Sequence, residues 1–136
     1  MSISPRSKGQ SSLEFVTMTV LLLLIFTIFV SLFSGNQAEA VKEERARIAL
    51  AVADQIAFEL DLAFTEDQGF SRTFDLRDSI GGQEYNVIVN GSTVHLSYGD
   101  NRSVVSTTAA DNVTGEVKPG ENTVDNEGGV IYVTQP

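Results

Sequence analysis

The chain contains 136 residues, 42% of them hydrophobic, and has a formal net charge of −9 at pH 7. This length allows one modest domain with an appended segment and excludes two well-packed domains. The chain has no Cys and a single His, which excludes disulfides, thiolate sites and His-based metal or catalytic clusters, and its acidic balance argues against a nucleic-acid-binding protein.

The N-terminal region combines a short basic segment with a long apolar one. Residues 1–9 carry only the charges of Arg6 and Lys8, and residues 15–33 contain no charged residue, Gly or Pro. As a helix with a rise of about 1.5 Å per residue, this run extends about 28 Å, close to the roughly 30 Å hydrocarbon core of a bilayer. We therefore predict a transmembrane helix over residues 10–34. The basic flank precedes it, so the positive-inside rule predicts a cytoplasmic N-terminus and an exported C-terminal part.

A second helical pattern follows, either continuous with the apolar helix or bent at Gly35. Its apolar residues recur at steps of three, four and seven positions, with charged residues between them. These apolar residues are Val41, Ile48, Val52, Ile56, Leu60 and Ala63. The pattern predicts an amphipathic helix over residues 35–68, closed by Gly69, that packs on one face of a sheet. On its solvated face, Glu43 and Arg47 have the spacing of an i,i+4 ion pair.

After Gly69 the apolar residues alternate, which indicates a β-sheet domain over residues 69–136. The clearest signal is a hairpin in which QEYNVIV and STVHLSY flank Asn90-Gly91, a dipeptide suited to a type I′ turn. Residues 125–128 have the composition of a turn, and His95 is predicted to face solvent. Shorter strand-like runs occupy residues 102–108, 112–118 and 129–134. The predicted fold class is α+β, a long N-terminal helix followed by a small antiparallel meander of four to six strands.

The sequence between the basic and apolar segments, KGQSSLEF at residues 8–15, resembles the class III signal peptide of archaeal type IV pilins. In that family a membrane-embedded prepilin peptidase cleaves between the Gly and the Gln, which are Gly9 and Gln10 in this chain. The family's long helix followed by a C-terminal sheet also matches the predicted architecture. The resemblance implies that residues 1–9 form a leader. Its removal with two basic residues would change the formal net charge from −9 to −11.

The resemblance implies a structural role and no enzymatic activity. Glu14 becomes the fifth mature residue, and in type IV pilins a Glu at that place pairs with the N-terminal amine of a neighbouring subunit. The apolar helix would hold the precursor in the membrane and then pack with its copies in a filament core, for which we predict an uninterrupted helix. The implied assembly residues are Glu14, Phe15, Leu21, Leu22, Leu23, Leu24, Ile25, Phe26, Phe29 and Phe33.

The partners implied by this interpretation are further copies of the chain, the prepilin peptidase and the pilus assembly platform. The precursor would reside in the cytoplasmic membrane and the mature subunit in an extracellular, adhesive surface filament, as a major or a minor initiating subunit. No cofactor, metal or nucleic acid is expected. N-linked glycans are expected on the exported half, which contains three sequons. Their asparagines are Asn90, Asn101 and Asn112, and the tight hairpin turn is expected to restrict access to Asn90.

Two other fates of the N-terminus stay open at this stage. An uncut helix would serve as a permanent anchor for a surface binding module that never polymerises. Cleavage after Ala40, in the small-residue triplet Ala-Glu-Ala, would instead release a soluble domain that begins at Val41. The first residue of the mature protein separates the three interpretations.

Overall fold

A computed structural model describes residues 5–136, so residues 1–4 of the predicted leader lie outside the described part of the chain. The described residues form one long helix and seven strands, and they divide into two compact units between Lys42 and Glu43. The elements are α1 (Pro5–Thr65), β1 (Ser71–Leu76), β2 (Tyr85–Asn90), β3 (Thr93–Tyr98), β4 (Arg102–Thr107), β5 (Val113–Gly115), β6 (Gly120–Glu127) and β7 (Val130–Thr134). The predicted α+β layout, a long N-terminal helix followed by a small sheet region, is confirmed.

The apolar part of α1 is an uninterrupted helix, and the helical assignment also continues through Gly35. No Pro or Gly lies between residues 10 and 34 to remove a backbone donor or loosen the chain. Three Thr hydroxyls in this segment donate to the carbonyl four residues earlier, which satisfies them within the helix itself. These hydroxyls are Thr17 on Leu13 (2.8 Å), Thr19 on Phe15 (2.9 Å) and Thr27 on Leu23 (2.8 Å).

The second unit has its own core, formed by the last part of α1 and the inner faces of the strands. The helical residues of this core are Ala49, Val52, Ala53, Ile56, Ala57, Leu60 and Ala63. The predicted apolar stripe is therefore right from Val52 onward, whereas Val41 is exposed and Ile48 is only half-buried. The alanines were not predicted, because small side chains add little to a hydrophobic pattern even where close packing requires them.

Polar contacts fix this part of α1 to strands on two sides. Towards β4, the Ser106 hydroxyl donates to Asp54 Oδ1 at 2.7 Å, and the Ala109 backbone N–H donates to Asp61 Oδ1 at 2.6 Å. Towards β1, the Arg72 Nε lies 3.0 Å from Oε2 of the buried Glu59. The helix is thus held in register by charged groups at the margins of the apolar contact.

The strands form two sheets and not the single antiparallel meander that we predicted. The first has the order β2-β3-β4 and is antiparallel, and the second has the order β1-β6-β7-β5, in which β5 and β7 are parallel. Edge strand β2 and residues 115–118, at the edge formed by β5, line a common groove. The parallel pair requires Gly115, whose φ is 109° and where a Cβ would collide with the Val133 carbonyl oxygen.

Strand β6 was missed by the sequence analysis, and the turn predicted at residues 125–128 is wrong. Residues 125–127 belong to β6, and the turn to β7 consists of Gly128 and Gly129. The reason is that two inward positions of β6 are polar: Asn122 is fully buried and Asn126 is 4% exposed. Their amides bond to backbone groups, so they replace apolar residues without breaking the strand.

The β2–β3 hairpin is confirmed, but its turn lies one residue later than predicted. Asn90 pairs with Thr93 as the last residue of β2, so the two-residue loop is Gly91-Ser92. Only the first loop residue, Gly91, has a positive φ (58°), as in a type II′ turn. This register aligns three apolar pairs across the hairpin, whereas a turn at Asn90-Gly91 would align two. The aligned pairs are Tyr85 with Tyr98, Val87 with Leu96 and Val89 with Val94.

Tyr85 connects this hairpin to the preceding loop. Its hydroxyl donates to the Arg77 carbonyl at 2.6 Å, and its side chain is 7% exposed. Burial, with a smaller contribution from the Asp78 carboxylate, raises the pKa of Tyr85 to about 12. The phenol is therefore kept as a neutral hydrogen-bond donor over the whole physiological pH range.

Candidate assembly surface and processing site

The apolar segment of α1 is exposed along its entire length in the single chain. Its large apolar side chains from Leu13 to Phe33 are between 45% and 74% exposed, and none contributes to the core. They include every apolar residue that the sequence analysis assigned to assembly: Phe15, Leu21, Leu22, Leu23, Leu24, Ile25, Phe26, Phe29 and Phe33. Contiguous apolar surface of this extent is not tolerated in water, so lipid or protein must cover it.

Within the described residues, α1 is one helix that is long and apolar enough to cross a membrane, by length and composition only. Its most apolar 18-residue stretch contains no buried residue. A helix that is apolar on all sides suits lipid, and it equally suits a position surrounded by other helices. A cleaved signal sequence has the same properties, so the helix alone does not select among the three fates of the N-terminus.

Glu14 lies at the start of this exposed surface. It shares one helical face with Gln10, Leu13, Thr17 and Met18, which together line a shallow depression. Gln10 and Met18 are one helical turn before and after Glu14. A carboxylate is thus placed among apolar and hydroxyl groups on the face that would be covered, and it would need a cationic or hydrogen-bond-donating partner there.

The predicted cleavage site, Gly9-Gln10, is exposed but lies inside the helix. Peptidases bind a scissile bond in an extended form, so cleavage here would require the first turns of α1 to open. Gly9 would favour this opening, because a Gly within a helix is about 1 kcal/mol less favourable than Ala. The Gly at the predicted cleavage site would therefore also lower the cost of exposing it.

The three sequon asparagines are exposed but do not form a common site. Asn90 ends β2, Asn101 lies in the β3–β4 turn with a φ of 60°, and Asn112 precedes β5. They belong to both sheets and to different loops, so glycans on them would mark separate parts of the second unit. Asn90 lies at the end of a strand and not in the turn where the sequence analysis placed it.

Three large apolar residues of α1 in the second unit are exposed and lie off the predicted stripe. Leu50 is 44%, Phe58 is 60% and Phe64 is 39% exposed, on the part of α1 whose opposite face forms the core. The sequence predicts a charged outer face here, and Glu43 and Arg47 on it form the predicted ion pair at 2.7 Å. Phe58 could have been identified from the sequence as a large apolar residue that does not belong to the predicted apolar stripe.

The outward faces of the two sheets differ in charge. Strands β2, β3 and β4 contain no Asp or Glu in their 18 residues. The other sheet carries four carboxylates, at Asp75, Glu121, Asp125 and Glu127, none of which is buried. Asp75 and Glu121 are direct cross-strand partners. Like charges directly opposite each other destabilise a strand pair, so the repulsion between these two carboxylates destabilises the β1–β6 pairing at low ionic strength.

We expect Glu121→Gln to stabilise the second unit by about 0.2–1 kcal/mol at low salt, because it removes this cross-strand repulsion. At 1 M salt, where the Debye length is about 3 Å, the gain should largely disappear. Thermal unfolding of the full-length chain in detergent at both salt concentrations measures the effect. The matched control is Glu116→Gln, which removes the partner of Lys118 (3.2 Å) and should not stabilise. A gain that persists at high salt would rule out repulsion as its cause.

Comparison with known proteins gives one informative match. No curated protein and no solved structure matches the chain significantly. The model of a family of unknown function, DUF7266, matches residues 13–131. The match begins at Leu13 in the apolar segment of α1 and ends at Ile131 in β7, so it includes the exposed helix together with both sheets. The chain therefore belongs to the DUF7266 family of unknown function.

Proposed function

We propose that this protein is a pilin, a structural subunit of an archaeal type IV pilus-like surface filament that polymerises through its N-terminal helix. The observation that carries the proposal is the combination of two features in one chain. Residues 13–33 form a helix that is exposed on all sides, and residues 43–136 form a unit that completes its own core. The exposed helix must be covered by lipid or by other protein chains, because no other part of the chain that the structure describes packs on it. The unit of residues 43–136 needs no such cover.

The order of events follows from the chemistry of the N-terminal segment. The precursor inserts with its basic leader in the cytoplasm, and the peptidase removes residues 1–9. The apolar helix then leaves the lipid for a core formed by equivalent helices. Both environments are dry, and a continuous helix satisfies its backbone donors and acceptors in each of them. No bond is made or broken by this chain, and its chemistry is that of assembly.

The second unit would form the outer surface of the filament. Its exposed asparagines Asn101 and Asn112 lie in a turn and a loop, where an N-glycan has space, and Asn90 lies at a strand end. Glycans and the acidic sheet face would then give the filament a hydrated surface. Adhesion would depend on this surface and not on the helix.

A second candidate function is a membrane-anchored extracellular binding module that does not polymerise. The independent core of residues 43–136 supports it, because such a unit folds whether or not the apolar helix has protein neighbours. The same holds for a soluble domain released after Ala40, since the first fully buried core residue, Ala49, lies beyond that cleavage site.

Intact-mass and N-terminal analysis of the mature protein tests the proposal. We expect the chain to begin at Gln10, as a free amine or cyclised with loss of ammonia. A chain that begins at Met1 would favour the anchored module, and a chain that begins at Val41 would contradict the filament. Gly9→Leu should block cleavage and leave residues 1–9 attached. Gly35→Leu is the matched control, because Gly35 also has open space around it and lies far along the helix from the cleavage site.

A further inference from the structure

The outward face of the β2-β3-β4 sheet, which we call the neutral face, has a central row with an exposed aliphatic side chain on each outer strand and a histidine between them. In the middle of the sheet, Ile88 lies opposite His95, and His95 lies opposite Val105. Ile88 is 57% exposed and Val105 is 48% exposed. Aliphatic side chains therefore flank the imidazole on both sides in one cross-strand row, at the distance of direct neighbours in a sheet.

The residues around this row are small and uncharged. The neighbouring cross-strand rows on the neutral face consist of Asn86, Ser97 and Ser103 on one side and Asn90, Thr93 and Thr107 on the other. Glu84 and Asp100 lie outside the strands at one end of the sheet. Glu116 lines a groove beside edge strand β2 and is paired with Lys118 at 3.2 Å. An apolar centre with a rim of amides and hydroxyls is the composition of a protein–protein contact.

The charge of the chain restricts what can cover this face. Cleavage before Gln10 gives each copy a formal charge of −11, so two copies repel most where carboxylates of one meet carboxylates of the other, and a contact surface without carboxylates avoids such pairs. The other sheet cannot meet this condition because of its four acidic residues. The neutral face meets this condition, because none of its three strands contains an Asp or Glu.

We propose that the neutral face is a contact between the outer parts of neighbouring subunits, occupied by a second copy of this chain. The inference rests on the proposed function, because a filament brings copies of the second unit side by side. Ile88 and Val105 form the apolar centre of the contact, and His95 lies between them. The contact is additional to the helix, and it sets the spacing of the outer units. In a filament this face meets a different surface of the next copy, so the contact is heterologous and can repeat from copy to copy along an open helical polymer.

If this contact forms, Asn90 should differ from the other two sequon asparagines in whether it carries a glycan. Asn90 lies in the outer row of the neutral face, directly opposite Thr93, so a glycan on it would cover the rim of the contact. Asn101 lies in a turn and Asn112 before a strand of the other sheet. Glycopeptides from assembled filaments should therefore carry an unmodified Asn90, and a glycan at that position in filaments would overturn the proposal.

Cysteine labelling of intact filaments tests the contact directly, because the chain has no native Cys to give a background. The test variant is Val105→Cys on the neutral face, and the matched control is Thr134→Cys, an exposed strand residue of the other sheet. Each is labelled with a maleimide, once as detergent-solubilised protein and once as assembled filament. We expect assembly to slow labelling of Val105→Cys by about tenfold, as burial in a close-packed interface would, and to leave Thr134→Cys nearly unchanged.

The possible outcomes separate this proposal from the proposed function. Filaments in which Val105→Cys reacts as fast as the solubilised protein would overturn the contact and leave the pilin proposal standing. Equal protection of both cysteines would also overturn it, since protection would then not be specific to the neutral face. If the wild-type chain forms no filaments, the proposed function fails and this inference fails with it. As a second variant, Val105→Asp should reduce filament yield where Val105→Thr does not, with equal unfolding temperatures for both.

Discussion

Replacement of Glu14 by Val is expected to abolish filament formation while the protein still inserts into the membrane and its second unit still folds. Insertion should be retained or improved, because an acidic residue opposes insertion by up to about 2.5–3.5 kcal/mol at the membrane centre and by less near an interface. Glu14 lies outside the compact unit of residues 43–136, so the core is not touched. Assembly should fail because the variant removes the charge that we propose to pair with a neighbouring subunit.

The size of the effect follows from the chemistry of a covered ion pair. Removing one member of a buried pair typically costs 3–5 kcal/mol, since the other charge is left without a partner. At about 1.4 kcal/mol per factor of ten, this weakens each subunit addition by more than roughly 100-fold. Glu14→Gln should have nearly the same effect, because it keeps the size of the side chain and removes the charge. Thr17→Val is the matched control on the same helical face, since its hydroxyl already bonds to Leu13 within the helix.

Membrane fractionation, sheared-filament yield and electron microscopy measure these outcomes together. Normal filaments from Glu14→Val would refute the pairing role of Glu14. The mass of the mature N-terminus determines which partner is possible. A free Gln10 amine can pair with the Glu14 carboxylate of a neighbour, whereas a cyclised Gln10 has no amine and leaves Glu14 in need of another donor.

The elements predicted well from sequence were those in which one local rule governs every residue. Residues 15–33 contain no charged residue, Gly or Pro, and the hairpin strands carry apolar residues at every second position, so both were found. The hairpin turn was placed one residue early because the Asn-Gly preference is local, while register is decided by the cross-strand pairs. The parallel β5–β7 pair could not be predicted, since pairing between distant segments leaves no mark in either segment.

In the candidate site, the apolar run was found from the sequence because a membrane-length run is a signal in itself. The assembly role of Glu14 comes from the resemblance of residues 8–15 to a pilin signal peptide and stays a prediction. The sequence did not identify Phe58 or the neutral face. The exposure of Phe58 depends on which side of α1 the sheets cover, and the neutral face depends on which strands share a sheet. Both are properties of the assembled second unit and not of any one segment.

Asn126, in β6 of the four-stranded sheet, bonds to the end of α1. Its loss should have the largest effect on the stability of the second unit. The side chain is 4% exposed. Its amide nitrogen donates to the carbonyls of Ala63 at 2.8 Å and Glu66 at 3.1 Å, and its amide oxygen accepts from the Gly129 N–H at 3.1 Å. The last carbonyls of a helix have no partner within the helix. Asn126 supplies one, and α1 ends at Thr65, slightly before the predicted residue 68.

We therefore expect Asn126→Ala to lower the free energy of unfolding by about 3 kcal/mol, because it leaves buried backbone groups unsatisfied. In a unit of this size, that loss lowers the unfolding temperature by more than about 10 °C. Asn126→Asp is the sharper variant. It has nearly the same shape and keeps the acceptor for Gly129, but it places a carboxylate against two carbonyl oxygens. It should destabilise more than Ala, even though Ala removes more atoms.

Which of these two variants is less stable shows whether Asn126 acts mainly through its hydrogen bonds or through packing. If Asn126 served only to fill space, Asp would be tolerated and Ala would be the harmful change. If its amide donors hold the helix end, Asp is the worse of the two. The matched controls are Asn86→Ala and Asn86→Asp on the exposed face of β2, where each should stay within about 0.5 kcal/mol of the wild type. Thermal unfolding of the full-length protein in detergent, followed by circular dichroism in the strand region, gives all four values in one experiment.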